Sequence, residues 1–495
     1  MKFYSTRDIF QTKYSSAQII KQGIADDGGL FVPEIIPQIS AKELNSLPSL
    51  TYPELAANIL SRFLTDYTYD ELLEDCKNAY DKNSFPSGIC PLHQVDENTF
   101  SLELWHGPTC AFKDMALQIM PRLLSRALRK TGENKTALVL VATSGDTGKA
   151  ALEGYKDINQ IKISVFYPEN GVSTIQKLQM ITQTGENVNV CGVNGNFDDI
   201  QTGVKQIFSN KKIASELYEK GYILSSANSI NFGRLAPQIV YYFKAYCDLL
   251  SKEKIQLGEN INVCVPTGNF GNILAAYIAK LMGLPINKLI CASNSNNILT
   301  DFLSTGTYDR NRKFHLTMSP SMDILISSNL ERLLYFVCGA SKTKEYMLQL
   351  NKSGKYTVDS DVLSLIQDNF VGYYASEKDT ALTIKNLHEK YGYLIDTHTA
   401  VAFSALQQYR EKTKDLTPTV VASTANPYKF AKDVYNAVFD ITDLTDIDAF
   451  HKLTEKSGES IPFPLQNLEN RPIRFENIID PDEMYNEITR FLSEN

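Results

Sequence analysis

Lys113 lies in the run His106-Gly107-Pro108-Thr109-Cys110-Ala111-Phe112-Lys113-Asp114-Met115-Ala116-Leu117, where apolar and small side chains flank it on both sides. A lysine in such company is partly desolvated, which lowers its pKa and favours the neutral, nucleophilic amine. Alone, it reads as a lysine whose stem lies along apolar surface with its charge in water. Three other segments bear on it. In Pro266-Thr267-Gly268-Asn269-Phe270-Gly271-Asn272, two glycines three apart let backbone amides approach an anion at a helix start. The spacing does not meet the G-x-G-x-x-G dinucleotide pattern, and alone it reads as a tight turn. Thr143-Ser144-Gly145-Asp146-Thr147-Gly148-Lys149 ends like a nucleotide-binding P-loop, but its glycines are too close together. Ala150 also stands where a Ser or Thr follows the P-loop lysine, so nucleoside triphosphate hydrolysis is disfavoured. What remains is a hydroxyl-rich helix start suited to a carboxylate or phosphate, or simply a capped helix. Ser226-Ala227-Asn228-Ser229-Ile230-Asn231-Phe232-Gly233-Arg234 gathers amides, hydroxyls and a guanidinium fork that fit a phosphate.

These segments need a scaffold that brings them together, and the pattern of the chain supplies one. Residues 137–142, an unbroken apolar run, read as a buried parallel strand before the 143–149 turn and a helix. Residues 161–166 and 188–190 are further strands. The unit recurs at 261–265, followed by the 266–271 loop, a helix over 272–282 and a strand over 288–292. A last strand at 418–422 runs into Ser423-Thr424-Ala425-Asn426-Pro427, with a helix from Tyr428. Alternating strands and helices predict an α/β fold with parallel sheets, whose ligands sit beyond the carboxyl ends of the strands. The expected division is a mostly helical segment at 1–95, one α/β lobe at 96–258 and a second at 259–495. Residues about 300–390 read as a helical insertion in the second lobe. A buried amine, a glycine-bearing loop and a hydroxyl-rich loop are the parts that hold pyridoxal phosphate (PLP) and an amino-acid substrate.

Composition removes other classes. The chain has 495 residues, 49 Lys plus Arg against 57 Asp plus Glu, and a net charge of −8, with no basic footprint for nucleic acid. No apolar stretch reaches the length of a membrane helix, and the start, MKFYSTRDIFQTKY, has no apolar core of a secretion signal. The 8 cysteines form no C-x-x-C pair and the 6 histidines no cluster, so reduced thiols, no structural metal and a cytoplasmic location are expected.

The ordered motifs resemble those of the threonine synthases, PLP enzymes of the tryptophan-synthase-β (type II) fold. The likeness spans nearly the whole chain. It includes Tyr4-Ser5-Thr6-Arg7, residues 23–30, Leu102-Glu103-Leu104-Trp105 with the Lys113 segment, and the loops at 143–148, 228–234 and 268–272. It implies that Lys113 carries PLP through an imine and that Gly268, Asn269, Phe270, Gly271 and Asn272 cradle the cofactor phosphate. It further implies that Thr424 faces the pyridine nitrogen, and that Ser144, Asp146 and Thr147 meet the substrate carboxylate and the cofactor hydroxyl. Asn228, Ser229, Asn231 and Arg234, with Lys149, are the candidates for the substrate phosphate. The implied reaction turns O-phospho-L-homoserine and water into L-threonine and phosphate, in a monomer or dimer, with the two α/β lobes closing over the substrate. Asn426 stands where many relatives carry His, and Cys110 is an unusual member of the lysine motif. Three alternatives stay open: a phospho-lyase releasing 2-oxobutyrate and ammonia, a serine or threonine dehydratase, and a binding protein that keeps the fold without catalysis.

Overall fold

The computed structural model describes residues 1–493. Two sheets organise it. One has five parallel strands in the order Ile478–Ile479, Val188–Val193, Ile161–Pro168, Thr136–Ala142, Tyr222–Ser225. The other has six, ordered Phe370–Tyr374, Ile286–Ser293, Ile261–Pro266, Thr419–Ser423, Thr99–Glu103, Leu92–Asp96, parallel except for the last pair. Strands 136–142, 261–266 and 419–423 are almost wholly buried, which is why their sequences are continuous apolar runs rather than alternating ones.

The strand pairing crosses the expected segments at two places. Strands 92–96 and 99–103 belong to the six-stranded sheet, although the chain then crosses to build the other lobe. The chain end returns likewise, with Ile478–Ile479 beside Val188–Val193 in the five-stranded sheet. The 300–390 stretch is not purely helical: Phe370–Tyr374 is an edge strand, and Thr307–Asp309 pairs with Lys355–Thr357. Gly372 interrupts the apolar pattern of that edge strand, and a Cβ there would lie 2.8 Å from the Thr300 backbone. Its neighbour forces a glycine where strand propensity argues against one. The helix expected from Tyr428 starts later, at Ala431, after a 3₁₀ turn over Pro427–Phe430.

The N-terminal segment packs helices Ser16–Gln22, Ala41–Ser46, Tyr52–Ser61 and Tyr69–Ala79, each opened by a capping box legible in the sequence. A latch fastens this segment to the second lobe. Glu331 accepts a bidentate pair from Arg7 Nε and Nη2, both at 2.7 Å, and Thr6 Oγ1 at 2.6 Å. Next to it Arg332, wholly buried, donates to Phe31 O at 2.9 Å, Ile230 O at 2.5 Å and Ser229 O at 3.4 Å, and also to Asn329 Oδ1. Replacing Glu331 by Gln weakens the latch by about 2 kcal/mol, since a part-buried guanidinium loses its charged acceptor. Hydrogen–deuterium exchange checks this: residues 3–8 exchange faster, while strand 261–266 keeps its protection.

Candidate active site

The lysine motif leaves the end of strand Thr99–Glu103 and is fixed by its own backbone. Asp114 accepts from Thr109 N at 2.8 Å and from Thr109 Oγ1 at 2.6 Å, closing the loop in front of Lys113. A Cβ at Gly107 would lie 2.6 Å from the Asp114 carboxylate, so only glycine fits there. Burial pushes the Asp114 carboxyl up to about 6, against the pull of the Thr109 bonds. Cys110 is buried with φ +59, a small residue in a left-handed bend rather than a nucleophile; burial raises its thiol to about 12.

That loop lies antiparallel to the loop after strand Thr419–Ser423. Ala111 bridges Ala425, Phe112 N donates to Thr424 O at 2.8 Å, and Asn426 N donates to Cys110 O at 3.0 Å. Thr424 is therefore backbone-paired next to Lys113, and its buried hydroxyl makes no bond to protein among the described residues. Asn426 accepts from Tyr428 N at 3.0 Å and caps the 3₁₀ turn, so in this chain the position shapes the loop.

The Lys113 ammonium is buried. Its Nζ lies 3.3 Å from Ser321 Oγ and 3.7 Å from Asp146 Oδ2. Desolvation lowers its pKa to about 8; Asp146 pulls the other way, and the positive charges of Arg234 and Lys429 lower it further. The amine is thus largely protonated below that pH and largely neutral above it. The rate at which the full-length protein, freed of cofactor, captures PLP should rise about tenfold per unit as pH approaches 8 and then level off. Stopped-flow absorbance measures this, and a rate flat across that range contradicts the assignment.

Asp146 opens the helix Asp146–Tyr155 and is buried. Thr143 Oγ1 accepts from Gly145 N at 3.0 Å and Gly148 N at 2.8 Å and shapes the turn. The N–H groups of Ser144, Asp146 and Thr147 and the hydroxyls of Ser144 and Thr147 have no hydrogen bond to protein among the described residues. This is a helix N-terminus ready for an anion. Lys149, by contrast, donates to Glu153 at 3.0 Å and to Gln183 Oε1.

The 268–272 loop is a second anion nest. Phe270 has φ +62, and the N–H groups of Gly268, Asn269, Phe270, Gly271 and Asn272 carry no hydrogen bond to protein among the described residues. Gly268 must lack a side chain because its Cβ would lie 2.8 Å from Ser321 O, the residue that also touches Lys113. Asn272 accepts from Tyr241 and Tyr242 hydroxyls, each at 2.5 Å, while its buried Nδ2 has no partner. Five free amides at a helix start, an orphaned amide donor and a buried amine fit a phosphate-bearing aldehyde cofactor.

The 228–234 segment divides. Asn231 is wholly buried, accepts from Gly233 N at 2.9 Å and donates to Ile20 O at 2.9 Å. It is the N-cap of helix Phe232–Ser251, and both ends of its amide are engaged by protein. Arg234 is different: it is buried, donates to Ala227 O at 2.7 Å, and has no carboxylate in ion-pair range among the described residues. Burial lowers its pKa to about 10, so it keeps its charge at neutral pH. Asn228 and Ser229 sit in the turn before it, with side chains that bond no protein atom among the described residues.

Sequence reasoning missed four residues around the site, Ser321, Asp396, His398 and Lys429. Ser321 contacts the amine, and its backbone N–H donates to His398 Nε2 at 3.1 Å. His398 Nδ1 in turn lies 2.9 Å from Asp396 Oδ2. Lys429 is wholly buried and pairs with Asp146 at 2.9 Å. Lys429 carried a faint signal, a lysine between two aromatics in the turn after strand Thr419–Ser423, whereas Ser321 lies in a segment without periodicity.

The chain is similar over most of its length to known proteins. Residues 2–80 match the family model "Threonine synthase N terminus", 91–424 match "Pyridoxal-phosphate dependent enzyme", and 399–486 match "Threonine synthase, C-terminal". The chain is 42% identical over 458 residues to human "Threonine synthase-like 1", covering 88% of itself but 60% of that longer protein. It is 38% identical over 446 residues to threonine synthase from Pseudomonas aeruginosa, covering 88% of this chain and 90% of that one. The crystal structure of yeast threonine synthase superposes with a TM-score of 0.89 at 35% identity, over 100% of this chain and 99% of that one. PLP-bound threonine synthase from Brucella melitensis gives 0.88 at 35% identity, with the same coverage.

Proposed function

This chain belongs to the threonine synthase family of PLP-dependent lyases, and from that premise we propose that it converts O-phospho-L-homoserine and water to L-threonine and phosphate. The observation that carries the reading is the grouping around Lys113. A buried amine stands beside two helix-start nests of free amides, and a separate buried guanidinium has no protein counter-ion among the described residues. Cofactor phosphate, substrate carboxylate and substrate phosphate are three anions, and these are three places for them.

In this reading Lys113 holds PLP, residues 268–272 receive its phosphate and Thr424 faces its pyridine nitrogen. A hydroxyl there leaves that nitrogen free of the proton an Asp partner would impose. PLP, when bound, supplies the electron sink that lets protons leave Cα and Cβ of the substrate. The Lys113 amine, neutral at alkaline pH and still partly neutral near pH 7, accepts the Cα proton, handles the proton at Cβ and returns one to Cα. Ser144 and Thr147, with the amides around them, orient the substrate carboxylate. Arg234, with Asn228 and Ser229, holds the γ-phosphate, whose C–O bond breaks as phosphate leaves. Cγ then takes up a proton to become the methyl group and water adds its hydroxyl at Cβ; with the proton returned to Cα and the second water proton on the departing phosphate, the atoms balance as threonine plus phosphate. Closure of the lobes would keep bulk water from this site until the phosphate has gone.

The test is to incubate the purified protein with PLP and O-phosphohomoserine and to quantify threonine and phosphate together. Equal amounts of the two are expected. Phosphate accompanied by ammonia and 2-oxobutyrate, with no threonine, replaces the synthase reading by the phospho-lyase one.

A further inference from the structure

Asp146 lies between two buried lysines and is shared unequally. Its Oδ1 receives Lys429 Nζ at 2.9 Å and Gln176 Nε2 at 2.9 Å, while its Oδ2 stands 3.7 Å from Lys113 Nζ, beyond hydrogen-bond distance. Lys429 is wholly buried, and the three protons of its ammonium meet three acceptors: Asp146 Oδ1, Thr109 O at 2.8 Å and Gln179 Oε1 at 3.0 Å. A buried cation is tolerated when it is paired and its donors are satisfied, and here both conditions hold. The backbone sets this up. Lys429 sits in the turn capped by Asn426, whose N–H bonds Cys110 O in the lysine loop, and Thr109 O belongs to that same loop. Gln176 and Gln179 come from the helix Thr174–Ile181.

We propose that Lys429 is a positioning residue that holds the Asp146 carboxylate as its hydrogen-bonded counter-ion, so that the pair Asp146 makes with Lys113 stays long and the amine's lone pair is free to bond the cofactor carbon. The inference rests on the reading of Lys113 as the PLP-bearing lysine. The charges that face Lys113 are Asp146, Lys429 and Arg234. Remove the Lys429 charge, and Asp146 becomes a buried anion whose nearest cation is Lys113. The amine then stays protonated to higher pH, both because that anion is no longer neutralised and because a repelling charge has gone. Asp146 itself is held well below the usual carboxylate range by Lys429 first and Lys113 second, against the penalty of burial.

The experiment is trace acetylation of the full-length protein, stripped of PLP, across the neutral to alkaline range, with acetyl-Lys113 quantified by mass spectrometry. In Lys429→Met the pH of half-maximal reactivity at Lys113 should rise by about one unit or more. Lys429→Arg should keep the original value, and adding Asp146→Asn to Lys429→Met should cancel the rise. A folded Lys429→Met whose Lys113 midpoint does not move overturns the inference. If Lys429→Met fails to fold, the double variant without either buried charge decides: a midpoint at or below the original supports the proposal, and a raised one refutes it. Borohydride reduction of the holoenzyme separates this from the premise. PLP fixed to another lysine defeats the reading of Lys113, whereas PLP on Lys113 with an unmoved midpoint defeats only the role of Lys429.

Discussion

Lys113→Ala is expected to lower threonine formation by about four orders of magnitude or more, because one group serves both as the cofactor's attachment point and as the base. No neighbour can replace it. The nearest alternative amine, Lys429, has all three protons committed to Asp146, Thr109 and Gln179, so freeing it would leave a buried carboxylate unpaired. Ser321, 3.3 Å from the missing amine, is a hydroxyl with no base of its own among the described residues. The loop that takes the phosphate is independent of the lysine side chain, since its free amides belong to residues 268–272. The variant should therefore still bind PLP non-covalently, with the visible band of the lysine-bound cofactor lost and no peptide labelled after borohydride reduction. Turnover within tenfold of the unaltered enzyme would end the assignment.

The parts of this site that depend on local rules could be read without the fold. The 268–272 loop declared itself through its glycines, of which Gly268 is demanded by a close approach to Ser321 O. The parallel strands declared themselves because burial on both faces writes an unbroken apolar run, and the type II PLP fold follows from their alternation with helices together with the resemblance. What sequence alone does not show is which protein groups a polar residue already engages, near or far along the chain. Asn231 looks like a ligand in a row of amides, yet its partners are Gly233 N and Ile20 O. Lys149 looks like an anion-binding lysine, yet the next turn of its own helix supplies Glu153 and a later segment supplies Gln183. Lys429 and Asp146 are separated by more than half the chain, and nothing in either neighbourhood states that they meet. The same limit applies to domain boundaries. The apolar run at 418–422 announces a strand, but that its neighbour is Thr99–Glu103 is fixed only when the whole sheet assembles.

Arg234→Ala should reduce kcat/KM for O-phosphohomoserine by about 10²- to 10³-fold, with the amount of bound PLP unchanged. A buried guanidinium that meets a phosphate in a charge-assisted pair contributes about 3–4 kcal/mol, and each 1.4 kcal/mol is about a factor of ten. The loss should fall on KM more than on kcat if the phosphate is held equally before and during C–O cleavage, and on both if the grip tightens as charge builds on the leaving group. Structural damage should be small, because the guanidinium makes one hydrogen bond to protein, at Ala227 O, and has no acidic partner left stranded among the described residues. Two controls separate this role from its neighbours. Asn231→Ala should lower stability by about 1 kcal/mol, as loss of a helix cap does, and weaken activity only in proportion to the folded fraction. Lys149→Met should cost stability through the stranded Glu153 while leaving KM near its original value. The Lys113 titration supplies a further check. Arg234 is one of the two positive charges that depress the amine, so Arg234→Ala should raise the pH of half-maximal Lys113 reactivity. A guanidinium that only filled space would leave that midpoint where it is. A variant that loses PLP instead of substrate affinity would move Arg234 from the substrate phosphate to the cofactor.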